Sequence, residues 1–237
     1  MKKFLWIIVF VVSVVISYFI WKNSPEYLKQ GGPLLVLGLT LLFLLFTFTV
    51  ERAIVLARAS GRGGIAPFMR TVKSAIQEGK MEGAIEGCKK HGGCLGNVVG
   101  AGLERYHMAK DTATNQKELI EETKRTIEEA AALESPILER NLNALSTIAS
   151  IATMLGLLGT TIGMIRAFRA MGQAGAPDAI QLAIGISEAL VNTALGLVVG
   201  ILGIVLYNYF SARVDNFLSA IEETSFEVID LLRQKGS

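Results

Sequence analysis

The chain has 237 residues, 51% of them hydrophobic and 19% charged, with a mean hydropathy of +0.45, an apolar excess above that of ordinary soluble domains. A net charge of +2 gives no basic field for nucleic acid, so that partner class is excluded. The two cysteines, Cys88 and Cys94, lie in a polar stretch and read as reduced thiols if that stretch is cytosolic.

The apolar residues come in runs. Residues 4–21, 30–50, 141–165 and 189–212 carry no charge. Each is close to the roughly 20 residues that cross a bilayer core. The first run follows Lys2 and Lys3, as in a signal peptide, but Tyr18, Phe19, Ile20 and Trp21 stand where a signal peptidase needs small residues. It reads as an uncleaved anchor with Trp21 at the interface. The predicted layout is an anchor helix and outer link over 1–32, a transmembrane helix over 33–58 and a cytoplasmic helical region over 59–140. A transmembrane helix over 141–168, an outer turn over 169–179, a transmembrane helix over 180–210 and a cytoplasmic helical tail over 211–237 follow. Lys2 and Lys3 place the N-terminus inside, and Arg52, Arg58, Arg62, Arg70 and Lys73 place the end of the second segment inside. Arg166 and Arg169, near the outer turn, count against this orientation. The fold class expected is thus an all-α integral membrane protein whose long helices extend into a cytoplasmic helical region.

In the polar region, Phe68, Val72, Ala75 and Ile76 have helical spacing. "NQKELIEETKRTIEEAAALE" is a strong helix former with acid–base pairs one turn apart. After it, either Ser135 caps a new helix with Pro136 at its first position, or Pro136 kinks one long helix. Val214, Phe217, Leu218, Ile221, Phe226 and Ile229 predict a helical tail.

On a helical wheel of the last membrane segment, Gly185, Glu188, Ala189, Asn192, Thr193, Gly196, Gly200 and Gly203 fall within about 140°. In the segment before it, Ala149, Ala152, Thr153, Gly156, Gly159, Thr160, Gly163 and Ala167 share a face, with Thr161 off it. Gly156, Gly159, Gly163, Gly196 and Gly200 are candidates for close helix packing. Thr160, Thr193 and Asn192 have a bland reading as backbone-bonded hydroxyls and interhelical glue. Glu188 has a bland reading too, as a shallow acid that snorkels to the outer surface, but an acid in a membrane segment is costly and by default functional, and sharing a face with Asn192 and Thr193 favours a polar path or interface. Thr160, Thr193, Glu188 and Asn192 are the candidate ion pathway.

These residues carry a family likeness. "GLLGTTIGMIRAF" at 156–168 resembles a signature of the ExbB/TolQ/MotA family, roughly GLLGTVxGMIxAF. "AIGISEALVNTALGLVVGILGIVLYNYF" resembles its partner helix, with GIxEAL–xxTAxGL and a trailing YN, and "GKMEGAIEGCKKHGGCLGNVVGAGLERYH" resembles the family's cytoplasmic segment. The likeness covers about 33–225. Three departures are Thr153, standing where the family has a proline, the lack of a second proline near Leu202 late in the last helix, and the extra segment 4–21.

The resemblance implies an ion-driven motor subunit of the bacterial inner membrane. It implies a homo-oligomer, a pentamer, around a dimer of an ExbD/TolR-like subunit that supplies the ion-binding aspartate, and a TonB- or TolA-like protein driven by it. This chain would supply the wall, with Thr160 and its glycine face turned to the partner's acid. The conducted ion, proton or sodium, is the cargo, and no cofactor is implied. A MotA-like stator, a self-sufficient channel and a passive membrane scaffold are the rival readings. A zinc site at Cys88, His91, Cys94 and His107 is disfavoured, since C-x5-C is not a standard knuckle. No P-loop, HExxH or nucleophile elbow is present, so no familiar enzyme class is indicated.

Overall fold

The computed structural model describes residues 2–110, 115–173 and 179–235. Every element among them is a helix: α1 (Lys2–Asn23), α2 (Glu26–Lys29), α3 (Gly32–Ala59), α4 (Ile65–Gln77), α5 (Met81–His91), α6 (Gly93–Ala109), α7 (Gln116–Glu139), α8 (Leu142–Gln173) and α9 (Ala179–Lys235). Three stretches are long and apolar enough to cross a membrane: α3, the run Gln116–Gly172 whose apolar part is α8, and α9. The chain is a multi-pass, all-helical membrane protein. Of the turn expected over 169–179, residues 169–173 instead continue α8 and Ala179 opens α9, while 174–178 lie outside the described residues.

The chain divides into two compact units, one of 1–51 with 141–209 and one of 52–140 with 210–237. In the first, α1 exposes Ile7, Phe10, Val11, Val15, Tyr18 and Phe19 and, among its described side chains, buries only a small polar side, Ser13 and Ser17. Such a helix is stable only where its apolar surface meets lipid or another protein. Its apolar part, Ile7–Asn23, is shorter than the three spans. In α9 the wheel's small face is the buried one, with Ala189, Asn192 and Val199 at 5% exposure or less, while Leu190, Leu197, Ile201 and Val205 are exposed.

The second unit is built as a soluble core. Phe68, Val72 and Ile76 of α4 are buried at the predicted spacing. Asn115 caps α7 by accepting a hydrogen bond from the Lys117 amide at 3.0 Å, and Arg125–Glu129 and Lys124–Glu128 pair one turn apart along it. Gly93 opens α6 with φ of 66°, where a side chain would collide with the Ala59 carbonyl and the Gly61 backbone.

One expectation needs correction. Ser135 does not cap a helix. Its hydroxyl donates to the Ala131 carbonyl, and α7 runs through Pro136 to Glu139. The break comes at Arg140 and Asn141, where Asn141 takes φ of 60°. Asparagine tolerates that conformation better than other side chains, and here its amide donates to both oxygens of Glu51 at 3.0 and 2.9 Å. The tail is helical as expected; it buries Val214, Ile221 and Val228 at seven-residue spacing, with Thr224 and Leu232 beside them, and leaves Phe226 72% exposed. A strict seven-residue period keeps one seam, and Phe226 lies off it.

Candidate functional site

The site residues come from α8 and α9, which pack through glycine. At Gly156 an added Cβ would sit 3.2 Å from the Gly196 Cα, and at Gly196 it would sit 2.6 Å from the Ala152 carbonyl oxygen and 2.7 Å from the Gly156 Cα. At Gly163 it would meet the Gly185 carbonyl at 2.8 Å. Gly159 lies against the Asn192 side chain, and Gly200 against the Thr153 hydroxyl. Backbones this close gain dispersion contacts that larger residues would forbid, the driving force for helix association where lipid is as apolar as the side chains. The glycine face of α8, expected to meet a partner, is therefore filled by α9 of the same chain.

The four candidate ion-path residues take different positions. Thr193 donates its hydroxyl across the interface to the Gly156 carbonyl at 2.9 Å. Thr160 lies at the rim of the packed face, half-buried, and donates to the Leu157 carbonyl of its own helix at 2.6 Å. Thr161 is exposed and bonds the Leu158 and Leu157 carbonyls. With Met164, Ile165 and Phe168, both threonines line an open hollow on the surface of the first unit.

Asn192 and Glu188 sit one turn apart, both buried. Asn192 donates its amide to the Gly31 carbonyl and to the Glu188 backbone carbonyl, each at 3.0 Å, tying α9 to the start of α3. The Glu188 carboxylate accepts from Arg166 Nη1 at 2.5 Å. Gly32, with φ of 63°, lies against the same carboxylate oxygen. The starts of α3 and α9 and the end of α8 thus meet in one polar cluster. Gly31–Asn192 and Arg166–Glu188 were not read from the sequence. Arg166 stands out there only as a base close to the expected outer turn, and here it is paired with Glu188.

Two acids of the first unit are engaged among the described side chains. Glu51 is bound by Asn141 and Glu188 by Arg166, while α8 has no Asp or Glu, and α9 has only Glu188 as far as Tyr209.

In the second unit, Cys88 and Cys94 are free and buried. Burial first, and the charge of Glu104 second, push the Cys88 thiol up to about 12. Burial first, then the hydrogen bond and charge of Glu134, push Cys94 up to about 12. His91 is buried, stacked on Phe68 with centroids 4.3 Å apart, and its backbone carbonyl accepts from the Arg62 amide at 2.8 Å. Among the described residues, no three His, Cys, Asp or Glu side chains gather as metal ligands.

A model of the MotA/TolQ/ExbB proton channel family matches residues 93–223. A biopolymer transport protein ExbB homolog of Methanothermobacter thermautotrophicus is 41% identical over 101 residues, 43% of this chain and 36% of that protein. Biopolymer transport protein ExbB of Pseudomonas putida is 30% identical over 150 residues, 63% of this chain and 45% of its own length. Tol-Pal system protein TolQ of Haemophilus influenzae is 34% identical over 130 residues, 54% of this chain and 55% of its own. The chain thus spans between about a third and about half of the length of these relatives. The matched region includes both membrane motifs and the α8 and α9 residues of the polar cluster, and it exceeds half of the chain: the protein belongs to the MotA/TolQ/ExbB proton channel family, whose members are channel components and not enzymes.

Proposed function

We propose that this chain is the wall subunit of an ion-driven motor in the inner membrane. It works as a homo-oligomer, a pentamer, enclosing a dimer of an ExbD/TolR-like subunit. Ion flow down the proton motive force then energises a TonB- or TolA-like protein for outer-membrane transport or envelope maintenance. The observation that carries this reading is the engagement of acids. The one carboxylate that α8 and α9 bring to the membrane unit is already in an ion pair with Arg166. A conducting pathway along these helices needs a carboxyl free to take up and release an ion, so that group comes from a partner. Thr160, Thr193, Asn192 and Glu188 then form a polar wall. Hydroxyls both donate and accept, and they solvate a passing ion without the cost of a second buried charge.

The N-terminus is inside, the polar unit is cytoplasmic, and α1 is an additional membrane anchor. The Arg166–Glu188 pair supports this orientation, since it neutralises one of the two bases that opposed it.

A passive scaffold is the second reading, favoured by one observation: the Thr193 hydroxyl is spent on helix packing. Three variants separate the two: Thr160→Val, Thr193→Val and Glu188→Ala. A motor subunit loses ion flux and partner-driven work in each while the complex still assembles. Full activity in all three would leave only the scaffold.

A further inference from the structure

Arg166 occupies the variable position of the GMIxAF pattern, so no motif singles it out. Yet it reaches from α8 to α9 and meets Glu188 Oε1 at 2.5 Å. The two ends of this pair differ: the Glu188 side chain is 7% exposed, and that of Arg166 is 56% exposed. Glu188 is boxed in on another side. A Cβ on Gly32 would stand 3.1 Å from the same oxygen and 3.8 Å from Arg166 Nη1. The carboxylate therefore has a fixed place between the start of α3 and the guanidinium, and Asn192 fixes the backbone carbonyl of the same residue.

We propose that Arg166 is the positioning residue of the ion pathway. It holds the Glu188 carboxylate at the end of the polar stripe and balances its charge. An unpaired carboxylate in a membrane pathway binds a cation strongly, and conduction needs binding weak enough for release. The paired carboxylate keeps the mouth polar without making it a trap. This role rests on the ion-path reading given above. The contact is a single N–O pair and not a bidentate fork, so an ammonium of similar reach can replace the guanidinium.

The test uses the complex purified with its small partner subunit and reconstituted in liposomes. Proton entry is driven by a potassium diffusion potential, read with an internal pH dye and normalised to assembled complex. Arg166→Gln lowers flux by about tenfold or more, the scale expected when a pathway group is misplaced. Arg166→Lys stays within about twofold of the parent, since it keeps the charge. The exchanged pair, Arg166→Glu with Glu188→Arg, conducts several times better than either single change, because removing one partner of a pair harms more than exchanging both. Parental flux in Arg166→Gln overturns the proposal, as does a loss in Arg166→Lys equal to that in Arg166→Gln. If Arg166→Gln does not assemble, a loss of about tenfold in Arg166→Lys, or an exchanged pair that conducts no better than either single change, overturns the proposal. Glu188→Ala separates the two levels. Parental flux there removes Glu188 from the pathway, whereas a silent Glu188→Ala beside a conducting Arg166→Gln refutes the role of Arg166 alone.

Discussion

Thr160 and Thr193 look equivalent on a helical wheel, and their surroundings separate them. Thr193 spends its proton on the Gly156 carbonyl of the facing helix, whereas Thr160 spends its own within its helix, at the edge of an open hollow. Interhelical hydrogen bonds in membranes contribute about 0.6 kcal/mol on average, up to about 1.7. Thr193→Val should therefore lower both the melting temperature of the detergent-purified protein and ion flux. Thr160→Val should leave melting within about a degree of the parent, as expected when no cross-helix bond is lost, and lower flux only. Equal melting losses in the two variants would mean that Thr160 also holds the helices together. The glycines differ in the same way. At Gly196 a methyl would strike backbone atoms of Ala152 and Gly156, while at Gly172 it would meet nothing within 4 Å. Gly196→Ala should destabilise by about 1–3 kcal/mol through overpacking. Gly172→Ala should be neutral or stabilise by up to about 1 kcal/mol through helix propensity. Thermal unfolding followed by circular dichroism measures both.

At the scale of elements, the sequence was most legible where one physical signal dominates. Long charge-free runs announced α3, α8 and the first half of α9, because only length and apolarity matter for crossing a bilayer. The small faces were legible because helical periodicity brings Gly156, Gly163, Gly185 and Gly196 into rows. Which partner fills such a row is not encoded in one helix, and α9 fills it here where a separate subunit was expected. The break at Asn141 was hidden for a related reason. Pro136 is the stronger local signal, but the long-range bond from Asn141 to Glu51 decides the turn. The Arg166–Glu188 pair was equally out of reach, since its residues lie 22 positions apart on different helices. Cysteine chemistry also belongs to this scale. Packing of α5 and α6 pushes Cys88 and Cys94 up to about 12 from an ordinary 9.0. At pH 8 the folded protein then carries about a thousandfold less thiolate at these sites than an ordinary cysteine. Iodoacetamide should label both residues at least about a hundredfold more slowly in the folded than in the unfolded chain, read by mass spectrometry. Comparable rates would contradict their burial. The sign for stability follows from the same linkage. The unfolded chain releases these protons from about pH 9 upward and the folded chain holds them to about 12, so stability falls as pH rises through that window.

For the whole molecule, the central claim is one of incompleteness. The chain offers a polar stripe, an acid already in an ion pair and a packed glycine interface; on the proposed function these make a wall whose ion-binding group comes from a partner. Exposed apolar residues on α1, α8 and α9, among them Phe19, Met154, Leu157, Ile165 and Ile201, leave ample surface for lipid, further copies and a partner. The direct measurement is proton flux into liposomes holding this chain alone, compared with liposomes holding the chain assembled with its small carboxylate-bearing partner. Background flux is expected for the chain alone and robust, potential-driven flux for the assembly. Equal flux from the chain alone would contradict this and make the protein a self-sufficient channel.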